Sequence, residues 1–424
     1  MNSRLTIKIK KRSQMGWICW LIIMLPFLFG TLNDLLGLPW AIRYILDAAW
    51  LVLLLMQLLT HRSVQRNAQC FFLWSLLFLI YTLLAYLPQY QSAFYYLWGV
   101  RNNFRFYAVF LSFCMFLTQQ DIDRYFDTFD MLFWINVFIS LVQFFVLEID
   151  GDCLGGIFGS EVGSNGYTNI FFCIVLTKAI IFYLEKKEPL RKCFAKFIAA
   201  LLVTALAEIK FFFVEAILVI ILAVLFTSFS WRKVWITIGG LAGVLLGASL
   251  LVVFFPNSEG FLSLEWLWEN AASSKGYTAS GDMNRLNAIS VINERFLKNG
   301  WAQLFGLGMG NCDTSTFAFL NTPFSEQYSW LHYSWMSYAF MYLECGWIGL
   351  IFFFGFFVMI YFKVRKIEQN CEANGKAYCR IARIMAVLCA VIAIYNSSLR
   401  TEAAYMAYFV MAVPFVFVRR ADKA

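Results

Sequence analysis

Apolar runs of about 20 residues recur from one end of this chain to the other, and short clusters of lysine and arginine separate many of them. A run of that length crosses the hydrocarbon core of a bilayer as one helix. No water reaches the backbone there, so each segment must close its own hydrogen bonds, which favours helices over single strands. Hydrophobic residues make up 61% of the chain and charged residues 14%, whereas soluble domains lie nearer half and a quarter. The formal net charge of +8 does not indicate nucleic acid, because the positive charge sits between the apolar runs. Basic clusters so placed orient membrane spans and lie on the cytoplasmic side.

With the clusters at 4–12, 62–66, 186–196, 232–233, 363–383 and 419–423 inside, the chain threads about 12 spans, both termini cytoplasmic. The spans fall near 17–32, 40–59, 70–87, 99–118, 130–148, 166–184, 194–208, 211–229, 234–255, 343–362, 382–397 and 403–418. Residues 194–230 are too long for one crossing, and "AEIK" at 207–210 is their only polar break, so a helical hairpin is expected there. No small-residue cleavage site follows the first apolar run, which reads as a retained span rather than a signal peptide. The expected fold is all-α: a polytopic membrane protein of about 12 transmembrane helices with a long helical extracytoplasmic loop. Residues 1–255 form an N-terminal bundle, 256–342 the loop and 343–424 the last spans. The apolar stretch 328–362 exceeds one crossing. It is expected to divide near 344–349, with its earlier part lying on or dipping into the outer surface.

Several cations break the inside pattern and fall at or beyond the outer surface: Arg101, Arg105, Lys210, Arg285 and Arg400. Each needs a reason. Arg101 and Arg105 lie four apart and share a helix face. They either hold an anion such as phosphate or snorkel to the interface. Lys210 has Glu208 and Glu215 nearby, which fits a local ion pair. Arg43 and Asp47 also lie four apart and are expected to satisfy each other. In 284–299, Leu286, Ile289, Ile292 and Phe296 recur at helical spacing, which puts Arg285 on the apolar side and Arg295 and Lys298 on the solvated one. Asp282 either caps this helix, leaving Arg285 in its first turn as an anion cradle, or pairs with Arg285 directly.

"FGLGMGN" at 305–311 lies outside, so a tight turn with close backbone approach is expected rather than a nucleotide loop. His332 is the only histidine on the outer side, and one histidine does not make a transition-metal site. It is either structural or a general base, a role that suits imidazoles near neutral pH. Aromatic stretches of the loop, "EWLWEN" and "FSEQYSW", suit sugar stacking or a membrane interface. Most of the 11 cysteines lie in apolar spans. Cys371 and Cys379 have no histidine nearby, so no zinc site is expected. Cys153 and Cys312 both fall outside, where nothing in the sequence supports pairing them.

Taken together, "NRLNAISVINERF", "LFGLGMGN" and "LHYSWMSYAFMYLECGWIGL" resemble the shared core of bacterial O-antigen polymerases and O-antigen ligases. In that superfamily an arginine-led helix in a long outer loop precedes a glycine turn, a histidine follows, and Glu-x-Gly-x-x-Gly opens a span. The matching positions are Arg285, Gly306 with Gly308 and Gly310, His332, and Glu344 with Gly346 and Gly349. "GGIFGSEVGSNGY", which holds Asn165, is similar to the family's glycine-and-asparagine segment, and "AEIKFFFVEA" to its basic motif at an outer hairpin. Tyr333 stands where the family often has asparagine, and Lys210 where it often has arginine. The resemblance is specific over 285–350 and elsewhere extends only to topology.

What the resemblance implies is a glycosyltransferase of the bacterial cytoplasmic membrane. It would polymerise undecaprenyl-diphosphate-linked oligosaccharide repeat units at the outer face, for O-antigen, capsule or exopolysaccharide. His332 and Arg285 would be catalytic; Arg101, Arg105, Lys210, Arg400, Asn165 and Glu344 would bind substrate. Glu344, at the start of a span, is alternatively structural. The reaction would be inverting and metal-independent, with no cofactor. Partners would be the lipid-linked oligosaccharide, membrane lipids and a chain-length regulator protein, and no nucleic acid. An O-antigen ligase transferring finished glycan to an acceptor lipid is the alternative. A polysaccharide or lipid-linked sugar transporter is the alternative of another class.

Overall fold

The structure of the chain, a computed structural model, describes residues 14–59, 67–89, 91–256, 276–278 and 281–421. The basic clusters at 4–12 and 62–66, and the loop stretch with "EWLWEN", lie outside the described residues. Those described form helices and one isolated antiparallel bridge, Tyr277 with Met283, with no strand among them. Among the described residues, seven helices are long and apolar enough to cross a membrane, or eight if one bent pair counts as a span.

That bent pair is α1 (Gln14–Met24) and α2 (Pro26–Leu36), which meet at 58°. The sequence suggests one run over 17–32. Pro26 explains the break, since it donates no N–H and its ring crowds the preceding turn. Then follow α3 (Ile45–Leu59), α4 (Gln69–Tyr86), α5 (Ala93–Phe116), α6 (Gln119–Phe145) and α7 (Asn165–Leu184). The stretch 194–230 is a hairpin of α8 (Leu190–Leu206), α9 (Lys210–Phe226) and a tip at 207–209, as its polar break predicts. After α10 (Trp231–Phe254), the described residues of the loop carry three short α-helices: α11 (Ala288–Arg295), α12 (Gly300–Phe305) and α13 (Pro323–Tyr328). The chain closes with α14 (Ser337–Asn370), α15 (Ala373–Tyr395) and α16 (Ala404–Ala421).

Helix α16 is the hub. It packs against α5, α7, α14 and α15, and its Tyr405, Tyr408 and Phe409 are buried. Lipid tails are as apolar as leucine, so helices in a bilayer associate by close packing rather than by escape from solvent. Aromatic edges supply it here: Phe71 meets Phe110, Phe356 and Phe415 edge-on at centroid distances of 5.1, 5.4 and 5.3 Å. By contrast, only 11% of the α3 span and 28% of the α4 span are buried, leaving apolar flanks of the kind that face lipid.

The 34-residue α14 is interrupted at Gly346 (φ 60°, ψ −163°), a conformation open essentially to glycine alone. The glycine turn repairs the broken ladder. Leu307 N–H donates to Leu343 O and Gly308 N–H to Glu344 O, both at 2.9 Å, and Tyr81 Oη donates to Cys345 O at 2.6 Å. A Cβ on Gly306 would lie 2.4 Å from the Glu344 carbonyl, and one on Gly346 would lie 2.4 Å from that of Leu304. The turn is thus tight and backbone-to-backbone, as its spacing predicts. The break predicted at 344–349 is present, but the stretch before it is not a surface helix. Two 3-10 turns, Ser329–Leu331 and Tyr333–Trp335, flank His332 in the left-handed region (φ 53°). From Ser337 to Cys345 the helix is buried.

Gly346→Ala and Gly306→Ala should each lose at least about 2 kcal/mol of stability from backbone strain. Gly300→Ala, whose added methyl meets nothing within 4 Å, should not. Thermal unfolding of the detergent-solubilised protein, read by tryptophan fluorescence, compares the three.

Candidate functional site

A cleft of about 460 Å³ opens at one end of the bundle. Its walls come from the 3-10 turn before α3, the first half of α5, the first turn of α7, residues 313–316 and residues 397–402. Helices α7 and α14 lead away from this end and α15 returns to it. The basic stretches 186–196 and 363–383 therefore lie at the opposite end.

Most of the charge in the cleft is already paired. Arg105 and Glu402 are 2% and 4% exposed and meet through Nη1 and Oε1 at 2.9 Å. Arg105 Nη2 also donates to Arg400 O at 3.0 Å, and Tyr167 Oη donates to Glu402 Oε2 at 2.8 Å. Burial would push the Glu402 carboxyl up, but the guanidiniums of Arg105 and Arg43 and the Tyr167 hydroxyl outweigh it and hold it at about 2. Arg101 grips Asp47 with Nε and Nη2 at 3.1 and 2.5 Å. Arg400 Nη2 reaches Asp313 Oδ1 at 3.1 Å, and Asn102 Nδ2 donates to Asp313 Oδ2 at 2.5 Å. The sequence pairing of Arg43 with Asp47 is therefore corrected. Residues Trp40–Tyr44 form a 3-10 turn and α3 starts only at Ile45, so the two side chains do not share an α-helical face. Arg43 lines the cleft and makes no ion pair among the described residues.

Beside the cleft sits a second group. Asp282 Oδ1 and His332 Nδ1 lie 2.5 Å apart, and the imidazole stacks on Trp335 at 3.9 Å. The His332 side chain is 38% exposed. Three residues after Asp282, Arg285 Nε donates to Tyr395 O at 3.1 Å and its guanidinium lies 4.3 Å above the Tyr395 ring. Its Nη groups have no protein partner among the described residues. Asp282 therefore neither caps a helix nor pairs with Arg285. The helix begins at Ala288, after Asn287, and Arg285 lies in the turn that precedes it. The expected facing otherwise holds: Ile292 is buried, Arg295 and Lys298 are exposed, and Leu286 alone departs, at 53% exposure. This group joins the cleft through sequence neighbours, since Ser334 and Ser397 line it.

The hairpin tip meets the same region. Phe211 stacks on Tyr395 at 3.9 Å, while Lys210 pairs with Glu208 at 2.9 Å. Asn165 Nδ2 donates to Asp152 Oδ1 at 2.8 Å and to Ala207 O at 3.3 Å, tying the start of α7 to that tip. Glu344 does not line the cleft. It is 1% exposed and accepts from Cys312 N–H at 3.0 Å, so its position corrects a substrate contact to an anchor for the strip that carries Asp313. Cys153 and Cys312 carry free thiols. Among the described residues no group of histidine, cysteine and carboxylate side chains could hold a metal ion.

Sequence reasoning missed Glu402, Asp313, Asp282 as the histidine's partner, and Arg43 as a free cation. The signal available was that carboxylates outnumber cations in the outer segments, so each outer cation should have been matched against them. The chain matches no protein-family model and no curated protein.

Because Glu402 is held at about 2 against an ordinary 4.5, it stabilises the fold above pH 4.5, and that contribution fades as pH falls toward 2. Glu402→Gln should remove this acid-side loss. It should also lower the unfolding midpoint at neutral pH, because Arg105 is left buried and unpaired, a change costing about 3–5 kcal/mol. Unfolding midpoints of both proteins across the acid range would reveal the crossover; parallel curves would contradict the pairing.

Proposed function

We propose that the chain is a glycosyltransferase that polymerises undecaprenyl-diphosphate-linked oligosaccharide repeat units at the outer face of the bacterial cytoplasmic membrane. Its 12 apolar runs would then all cross, with both termini cytoplasmic. The observation that carries this reading is a carboxylate-held histidine and, three residues beyond that carboxylate, an arginine whose Nη groups have no partner among the described residues. Both stand beside a polar cleft, at one end of an apolar helical bundle.

The chemistry follows from that arrangement. Asp282 accepts from His332 Nδ1–H, which leaves the lone pair on Nε2. Nε2 takes the proton of the acceptor hydroxyl as that oxygen bonds to the anomeric carbon. The bond from that carbon to the diphosphate oxygen breaks on the opposite face, so configuration inverts. The diphosphate leaves with the electron pair. Arg285 faces it with two free Nη groups, and fixed cations of this kind stabilise developing charge without reorganisation. His332 is held in a left-handed conformation that costs about 1–3 kcal/mol. Its N–H to Ser329 O, its carbonyl to Trp335 N–H and the Trp335 stack keep it there. Strain of this sort gathers where a side chain must be aimed.

The reading is tested by incubating the purified protein with lipid-linked repeat units, without nucleotide and with chelator. Chain extension supports it. Translocation of the lipid without extension would leave a transporter, and transfer to an acceptor lipid without extension would leave a ligase. In the same assay His332→Ala and Arg285→Ala should abolish extension while the protein stays folded, and Asp282→Asn should slow it at least about 100-fold. Arg295→Ala and Lys298→Ala should extend chains normally. Equal losses from both sets would refute the assignment.

A further inference from the structure

The cleft holds one guanidinium too many. Arg101, Arg105 and Arg400 each have a carboxylate, respectively Asp47, Glu402 and Asp313. Arg43 makes no ion pair among the described residues, although its charge also acts on Glu402, and its side chain is only partly exposed. Its neighbourhood is not that of a diphosphate site. Three of its four guanidiniums are neutralised by carboxylates before any ligand arrives, which leaves little positive charge for a diphosphate.

The rest of the lining suits a sugar. Tyr44 and Phe317 stack at 5.3 Å, Trp98 meets Phe317 edge-on at 6.1 Å, and Phe319 packs behind at 5.9 Å. Tyr44 and Trp98 line the cleft itself. Arg101 lies 5.2 Å over the Tyr44 ring and 4.8 Å over the Trp98 ring, and the ring surface left uncovered suits the C–H side of a pyranose. Opposite charges locked in pairs, together with the hydroxyls of Thr314, Ser315, Thr316, Ser334, Ser397 and Thr401, offer fixed donors and acceptors to its hydroxyls. Three buried donors of cleft-lining side chains have no partner among the described residues: Trp98 Nε1, Arg105 Nε and Arg400 Nε. Buried groups left so are uncommon and call for an explanation such as a ligand. The volume, about 460 Å³, lies in the range of ligand pockets. Arg285, whose Nη groups have no partner among the described residues, does not line it.

We propose that this cleft is a saccharide subsite that selects an acidic sugar, with Arg43 reading its carboxylate and Tyr44 and Trp98 its ring face. The inference rests on the glycosyltransferase reading, to which it adds the substrate class: repeat units that carry a uronate-type residue.

Binding is measured apart from turnover. The purified full chain in nanodiscs is titrated with a uronate-containing disaccharide and with the same disaccharide reduced at its carboxyl to the alcohol. The uronate should bind about tenfold tighter, the size of one charge-assisted hydrogen bond. Arg43→Gln should erase that difference while leaving the reduced sugar's affinity unchanged, and Arg43→Lys should restore part of it. Trp98→Ala should weaken both sugars. Equal affinity for the two sugars, or a difference that survives Arg43→Gln, overturns the proposal. So does Arg43-dependent binding of pyrophosphate with none of either sugar. Sugar selection without chain extension in the reconstituted assay would sink the polymerase reading alone, and extension without sugar selection would sink this one alone.

Discussion

The Arg105–Glu402 pair governs how this end of the molecule can be built. An arginine placed in an apolar bundle is expensive unless its charge is met where it stands. Meeting it ties together elements far apart in sequence: α5 supplies the guanidinium, the segment before α16 the carboxylate, and the first turn of α7 the Tyr167 hydroxyl. Arg105 also holds the Arg400 carbonyl, which places the Arg400 side chain against Asp313. One desolvated ion pair thus fixes the floor of the cleft. It also separates the cations into two kinds. Paired guanidiniums shape the site, whereas Arg43 and Arg285 make no ion pair among the described residues.

A second constraint brings the loop to that floor. The break in α14 frees carbonyls that would be costly in an apolar setting. Amides of the glycine turn satisfy two of them, and the Glu344 carboxylate then captures Cys312 N–H. Residues 312–316 follow directly into the cleft wall. Glu344 is therefore a joint between the span and the loop, which accounts for a carboxylate in so apolar a stretch without giving it a ligand.

The helical architecture was legible because periodicity and span length are local properties. Runs of about 20 apolar residues and a single polar break at 207–210 sufficed for the α8–α9 hairpin. The glycine turn was legible too, since three alternate glycines have few other uses; all three adopt positive φ, at 72°, 94° and 85°. Pairing was not legible. The spacing rule joined Arg43 to Asp47, but the rule assumes an α-helix, and a 3-10 turn intervenes. Asp47 went instead to Arg101, 54 positions away. The same holds for Asp282 and His332, 50 positions apart. Partners at that separation are set by how helices pack, which no local pattern encodes.

Position 333 shows how one local choice serves both halves of the site. In the resemblance noted above, asparagine often follows the histidine, and tyrosine here looks at first like a loss. The left-handed turn at His332 sends the two neighbours in opposite directions. The imidazole emerges 38% exposed, while Tyr333 turns inward to 1%. There its hydroxyl donates to Cys312 O at 2.8 Å. The Cys312 peptide is then held from both sides, its N–H by Glu344 and its carbonyl by Tyr333. Asp313 follows it directly, and Asp313 neutralises Arg400. A larger residue at 333 therefore does structural work that a short amide could not reach to do. The strained turn that aims His332 also sets the wall against which a bound sugar would rest.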